Sequence, residues 1–265
     1  MLFEWPHPRR MNPAAKLSKD MGLVEVDTTA HHTLVLFDPD ELYDGLVRAK
    51  NETRRLSPLA LVEYVQDSIY GYITMSEERS CSGVEEEDLS DFDVDWEYNP
   101  YSYPDADEQY FQVEAVFARR RPIGGKVYSF GPTMYQCALK SALARDTWLM
   151  GDRKFVSKGA YRMWEGFMED RTVMSLDLPA NCTHWPAKYT ALNKMYMPSR
   201  RFRLPHYNTV SKKGERAAYK VGRLMYGSNE EDGAALIADI GEQIFAQIYK
   251  KLSRDEKGSM NPLAA

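Results

Sequence analysis

The chain has 265 residues, 43% of them hydrophobic and 28% charged, with a formal net charge of -5 and three cysteines. A chain of this length and mix can bury a core, which excludes the disordered and fibrous classes, and no apolar run approaches the roughly 20 residues of a membrane span. Cys81, Cys137 and Cys182 are too widely spaced for a CxxC metal knuckle or a disulfide framework.

After a proline-containing start, LVEVDTTAHHTLVLFD predicts two strands, of which TLVLF is the clearer. Asp38 then caps a helix that opens on Pro39 and carries Leu42, Gly45, Leu46 and the stem of Lys50 along one stripe. Ser57 followed by Pro58 starts a second helix, PLALVEYVQD, and SIYGYITMS, rich in aromatic and β-branched residues, switches to strand character. From Val84 to Glu108 there are eleven carboxylates and no lysine or arginine, with Pro, Asn and Ser interspersed, the signature of a loop or insertion. DEQYFQVEAVFARR predicts a long strand, RRPIGGK a turn, residues 132–145 a helix and TWLMGDR a short strand. Ser157 begins a further helix with Ala160, Met163, Trp164 and Phe167 on one face. Residues 172–205 are proline-spotted and irregular. Two helices close the chain, KKGERAAYKVGRLMYG and DGAALIADIGEQIFAQIYKKL, the second with Leu236, Ile240, Ile244, Phe245, Ile248 and Leu252 on one face. The order is that of an α/β or α+β layer pattern, with helices packed on a mixed sheet.

Three features bear on function. The first is the junction SFGPTMYQCALKSALA, where Gly131 and Pro132 open an apolar helix directly after strand-like sequence. Either the bare helix N-terminus holds an anion, with Thr133 and Met134 offering amides, or the helix starts there because proline fits its first turn. Gly124, Gly125 and the cations Arg119, Arg120, Arg121 and Lys126 lie just upstream, but neither GxxxxGK[ST] nor GxGxxG occurs. The second is Glu114 on the long strand: half-buried between Val113 and Ala115 it would serve as a general base, whereas strand alternation would point it to solvent. The third is a charge asymmetry, since residues 194–220 carry eight basic side chains against one glutamate. That basic segment can dock on the acidic segment of this or another subunit, which makes a homo-oligomer the favoured partner expectation and places nucleic acid behind it. His31 and His32 are adjacent and would point to opposite sides of a strand, His184 stands near Cys182 without further ligands, and no metal site is expected.

The succession of long strand, helix 131–145, strand 147–150 and helix 157–169 resembles the cofactor-binding half of the GNAT-type N-acetyltransferases. It is also similar to a set of bacteriophage proteins through Gly131, Pro132, Tyr135, Ala138, Asp152, Arg153, Val156, Ser157, Ala160 and Trp164. About 60 residues carry the likeness. It implies an α+β fold with a mixed, mainly antiparallel sheet flanked by helices: residues 1–175 as the GNAT-like domain, with an acidic insertion at about 84–108, and residues 176–265 as an irregular segment and helical extension. It further implies acetyl transfer from acetyl-coenzyme A to an amine. The strand from Gln109 would splay to admit the pantetheine arm, Arg120, Gly124, Gly125, Gly131, Thr133 and Met134 would hold the pyrophosphate, and Glu114 and Tyr161 would be catalytic. Two departures stand out: the phosphate turn is lengthened by KVYSF, and Trp164 occupies the place of the family's acid tyrosine, three residues after Tyr161. An indole cannot protonate a thiolate. The alternative is a non-catalytic phage protein on the same fold, a virion component or a host-interaction factor. The first reading implies the cytoplasm of the host and the second also the particle. The charge and proline of MLFEWPHPRRMNPAAK, where a leader needs an apolar stretch, accord with an intracellular site.

Overall fold

The structure, a computed structural model, describes residues 14–28, 31–52, 57–78, 110–123, 126–151, 156, 158–178 and 187–255. The acidic segment 84–108, and with it Gly124, Gly125, Asp152, Arg153, Ser157, Cys182 and His184, lies outside the described residues.

The protein is α+β. Seven strands form one mixed, mainly antiparallel sheet: β1 (Gly22–Asp27), β2 (His31–Phe37), β3 (Ile69–Glu78), β4 (Tyr110–Ala118), β7 (Trp148–Met150), β8 (Val173–Asp177) and β9 (Lys194–Pro198). Their spatial order is β1-β2-β3-β4-β7-β9-β8. All neighbours run antiparallel except β4 and β7, which are parallel and joined across helix α3 (Gly131–Ala144). A separate hairpin, β5 (Arg120–Ile123) with β6 (Lys126–Ser129), stands between β4 and α3, where the sequence reading had only a turn.

Local chemistry sets several element starts. Helix α1 (Pro39–Glu52) begins where Asp38 Oδ1 accepts from the amides of Asp40 and Glu41, each at 3.1 Å. Helix α2 (Pro58–Val65) begins at Ser57, whose hydroxyl accepts from the Ala60 amide at 3.4 Å. Helix α4 (Lys158–Glu169) and the C-terminal pair α5 (Tyr207–Met225) and α6 (Glu230–Asp255) complete the helices.

The sheet separates two apolar layers. One face packs Leu34, Leu36, Ile73, Phe111 and Val113 against α3 and α4, with Trp164 fully buried among Tyr135, Phe167 and Tyr196. The other packs Val35, Phe37 and Tyr72 against α1, α2 and α6. Helix α5 contributes Val210 to the first layer and Ala218, Val221 and Met225 to the second, because it lies against the edge strand β1 and closes that end of both. The region read as irregular contains β8 and β9, so the sheet continues past residue 175 and that boundary falls inside β8. No helix among the described residues is long and apolar enough to cross a membrane.

Candidate functional site

The parallel pair is the least regular part of the sheet. Strand β4 pairs with β7 only through Tyr110, Phe111 and Gln112, whereas against β3 it continues to Ala118. That ladder ends at Gln112 because β7 itself ends at Met150, its partner there. At that point the β3 ladder also slips: Thr74 faces Ala115 and Met75 faces Val113, so Glu114 is the extra residue of a β-bulge. A bulge breaks the alternation that would otherwise fix a side chain's direction, and bulges are enriched beside active sites for that reason.

Glu114 stands on the α6 side of the sheet in a cleft of about 280 Å³ that also exposes His31, Thr33, Tyr72, Thr74 and, from α6, Asp239 and Glu242. Its Oε2 lies 3.0 Å from His31 Nε2, and both side chains are partly open, at 37% and 44%. The Thr33 and Thr74 hydroxyls meet at 3.2 Å on the cleft floor. Burial and the charge of Glu242 push the Tyr72 hydroxyl up to about 12, so it stays a neutral donor. Burial and the same neighbour raise the Asp239 carboxyl. Three carboxyl groups, an imidazole and a phenol thus share a cleft that favours a cation and can accept a proton from it. Among the described residues no three such side chains are arranged to hold a metal ion.

The junction at α3 is closed. Ala15 lies over it: its amide donates to Ser129 O at 2.8 Å, and the Thr133 hydroxyl donates to its carbonyl. Met134 does not offer a free amide, since its N–H donates to Phe130 O at 2.9 Å within the helix, and its side chain fills the space left by Gly71, where a Cβ would stand 2.6 Å from the sulfur. The Gly131 amide donates to Ser129 Oγ at 3.4 Å. Thr133 and Met134, expected to present amides to a ligand, are both buried. Arg120 is exposed at the base of the hairpin, opposite Ser129.

Tyr161 sits apart from Glu114. It packs on the α3 face, edge-on to Tyr189 with ring centroids 5.4 Å apart, and burial together with Glu165 raises its hydroxyl. The structure does not bring the two catalytic candidates to one cleft.

His32, pointing the other way from His31 as strand alternation requires, joins a second polar cluster. Its Nδ1 is 2.5 Å from Asp27 Oδ1 and its Nε2 is 2.8 Å from Ser141 Oγ, with Phe111 stacked on the ring. Ser141 donates to Glu25 Oε2 at 2.9 Å, Arg145 reaches both carboxylates, and the Tyr207 hydroxyl donates to Glu25 Oε1 at 2.5 Å. The order Asp27, His32, Ser141 has the connectivity of a nucleophilic triad, but Ser141 is fully buried in mid-helix and its proton is committed to Glu25. No nucleophile is presented, and the cluster acts as a polar clasp joining β1, β2, α3 and α5.

Sequence reasoning reached Glu114 but missed its bulge and its partner His31, because both depend on pairing between distant strands. No family model, curated protein or solved structure matches the chain.

Proposed function

We propose that the chain is a GNAT-like acyltransferase that moves an acetyl group from acetyl-coenzyme A to an amine bound in the Glu114 cleft. The observation that carries this reading is the bulge that displays Glu114 beside His31 in a cleft walled by Asp239 and Glu242.

The chemistry follows from the cleft. An amine arrives protonated and is held by the carboxylates of Glu114 and Glu242. It becomes a nucleophile only after giving its proton to Glu114, with His31 beside the same oxygen to share it. The free amine then attacks the thioester carbonyl, the C–N bond forms, the C–S bond breaks and coenzyme A leaves as the thiolate, which takes up the second proton from the acylated nitrogen. A thiolate is a competent leaving group without an acid, given a thiol pKa of about 8.5, so the remoteness of Tyr161 is no obstacle. With acetyl-coenzyme A as donor, activity belongs in the cytoplasm, that of the host if the chain is phage-encoded.

A second reading, a non-catalytic virion or host-interaction protein, is favoured by one observation, the covered N-terminus of α3. In that reading the acidic segment 84–108 and the basic segment 194–220 are the working surfaces, and pairing between them would build a homo-oligomer.

Calorimetric titration with acetyl-coenzyme A separates the two. Micromolar binding, followed by acetylation of a primary amine that drops about 100-fold or more in Glu114→Gln, supports the enzyme. A folded protein that gives no heat sinks it.

A further inference from the structure

Helix α5 turns a cationic face outward. Lys212, Arg216 and Lys220 are exposed along it at four-residue spacing, while Val210, Gly214, Ala217 and Val221 on the opposite side are buried. Each step along that row rises about 6 Å, comparable to the separation of successive phosphates on one nucleic-acid strand. The N-terminal half of the face forms one wall of a cleft of about 340 Å³ lined by Lys19, Asn208, Thr209, Lys212, Lys213 and Arg216. Four cations, an amide and a hydroxyl converge there, and no carboxylate lines it.

Lys213 is held in place by donating to the carbonyls of Lys19 and Asp20, each at 3.3 Å, and it also pairs with the Asp20 carboxylate at 3.9 Å. Among the described residues Lys19, Lys212 and Arg216 have no carboxylate partner, so a surface of net negative protein concentrates unneutralised positive charge at one concave place. A second cleft, of about 440 Å³, continues past Arg216 to Lys220 but is faced by Asp40 and Asp44 of α1, which would repel an anion. The phosphate subsite is therefore the first cleft. Tyr219, 51% exposed, projects beside Arg216 and Lys220 and offers a flat apolar surface within the row.

We infer that this face of α5 binds a single nucleic-acid strand, with phosphates in the cleft of Lys19, Lys212, Lys213 and Arg216 and a base stacked on Tyr219. Cations supply affinity that depends on salt and not on sequence, and an exposed ring among them stacks any unpaired base. Acidic polypeptide is the other polyanion class, and the chain's own segment 84–108, with eleven carboxylates and Phe92, Trp96, Tyr98, Tyr101 and Tyr103, is the competitor that the test has to exclude. The inference does not depend on the acyl-transfer reading.

The test is fluorescence anisotropy of the full chain with a labelled, mixed-sequence DNA or RNA strand of about 15 nucleotides, repeated between about 50 and 200 mM salt. Binding is expected to weaken with salt by a slope of about 0.7 per phosphate neutralised. Lys212→Glu with Arg216→Glu should weaken it at least about tenfold and flatten that slope, and Tyr219→Ala should weaken it about fivefold or more with the slope unchanged. All three positions are solvent-facing, and unchanged circular dichroism of the variants confirms folding. Absence of binding at the lowest salt, or binding indifferent to the charge reversals, overturns the inference. Poly-glutamate competing as well as unlabelled strand overturns it too, in favour of an acidic segment such as 84–108.

Discussion

Glu25 shows how a single carboxyl group can carry a measurable share of the fold's stability. Burial alone would raise it, but His32, Tyr207 and Ser141 outweigh burial and hold it at about 2, against 4.5 for an ordinary glutamate. Asp27, beside it, is also lowered, against the burial that opposes its charge, by His32 and Arg145. Because both folded values lie below the unfolded ones, the stability they contribute is fully present above about pH 4.5 and is lost as the pH falls toward 2. For Glu25 the difference corresponds to about 3 kcal/mol. Urea unfolding of the wild type should therefore lose free energy steeply between pH 4.5 and 2, and Glu25→Gln should show a shallower fall over that interval and lower stability at pH 7. Parallel pH curves for the two proteins would show that the clasp is not where the acid sensitivity resides.

Helix packing makes an opposed pair of predictions from two glycines. A Cβ on Gly214 of α5 would stand 1.9 Å from the Leu23 carbonyl oxygen of β1, a contact that neither backbone can relieve without moving the helix off the sheet edge. Gly214→Ala should cost about 3 kcal/mol or more and lower the Tm sharply. Gly166 of α4 has nothing within 4 Å of a built Cβ, so Gly166→Ala should stabilise by about 0.5 to 1 kcal/mol and raise it. Differential scanning calorimetry reads both, and a shift of the same sign in the two would refute the packing argument. The contrast also shows what a sequence discloses. Asp38, Pro39, Ser57 and Pro58 marked helix starts correctly because capping is local, settled within four residues. Strands β8 and β9 were not legible, since each is short and its partner is supplied by tertiary pairing. The start of α5 was placed late for a similar reason: its cap is His206 in a left-handed conformation, with no Ser, Asp or Asn to announce it. At the site, Glu114 was legible as a carboxylate on a strand, but its direction came from a one-residue slip against β3 that no local pattern encodes.

At the scale of the molecule, the last two helices are structural members of the sheet domain. One face of the sheet, through Val24, Val35, Phe37 and Ile69, is buried by Ala218 and Val221 of α5 and by Leu236, Ile237, Ile240 and Ile244 of α6, all nearly inaccessible to solvent. A chain ending at residue 206 would leave that apolar layer against water, and the Glu114 cleft would lose the wall that carries Asp239 and Glu242. Burial of each such side chain contributes about 1.5 to 3 kcal/mol, so removing this many exceeds the roughly 5 to 15 kcal/mol net stability of a domain. The shortened chain should give no cooperative thermal transition, bind a hydrophobic dye and lose near-ultraviolet circular dichroism while keeping part of its far-ultraviolet signal. A sharp unfolding transition would instead show that the sheet with α1 to α4 folds alone, and that α5 and α6 were added to a finished domain. The two outcomes differ for function as well. A sheet that needs α6 to fold has its candidate cleft built in from the start, whereas a self-sufficient one would have acquired the acidic wall, and its preference for a cation, with the added helices.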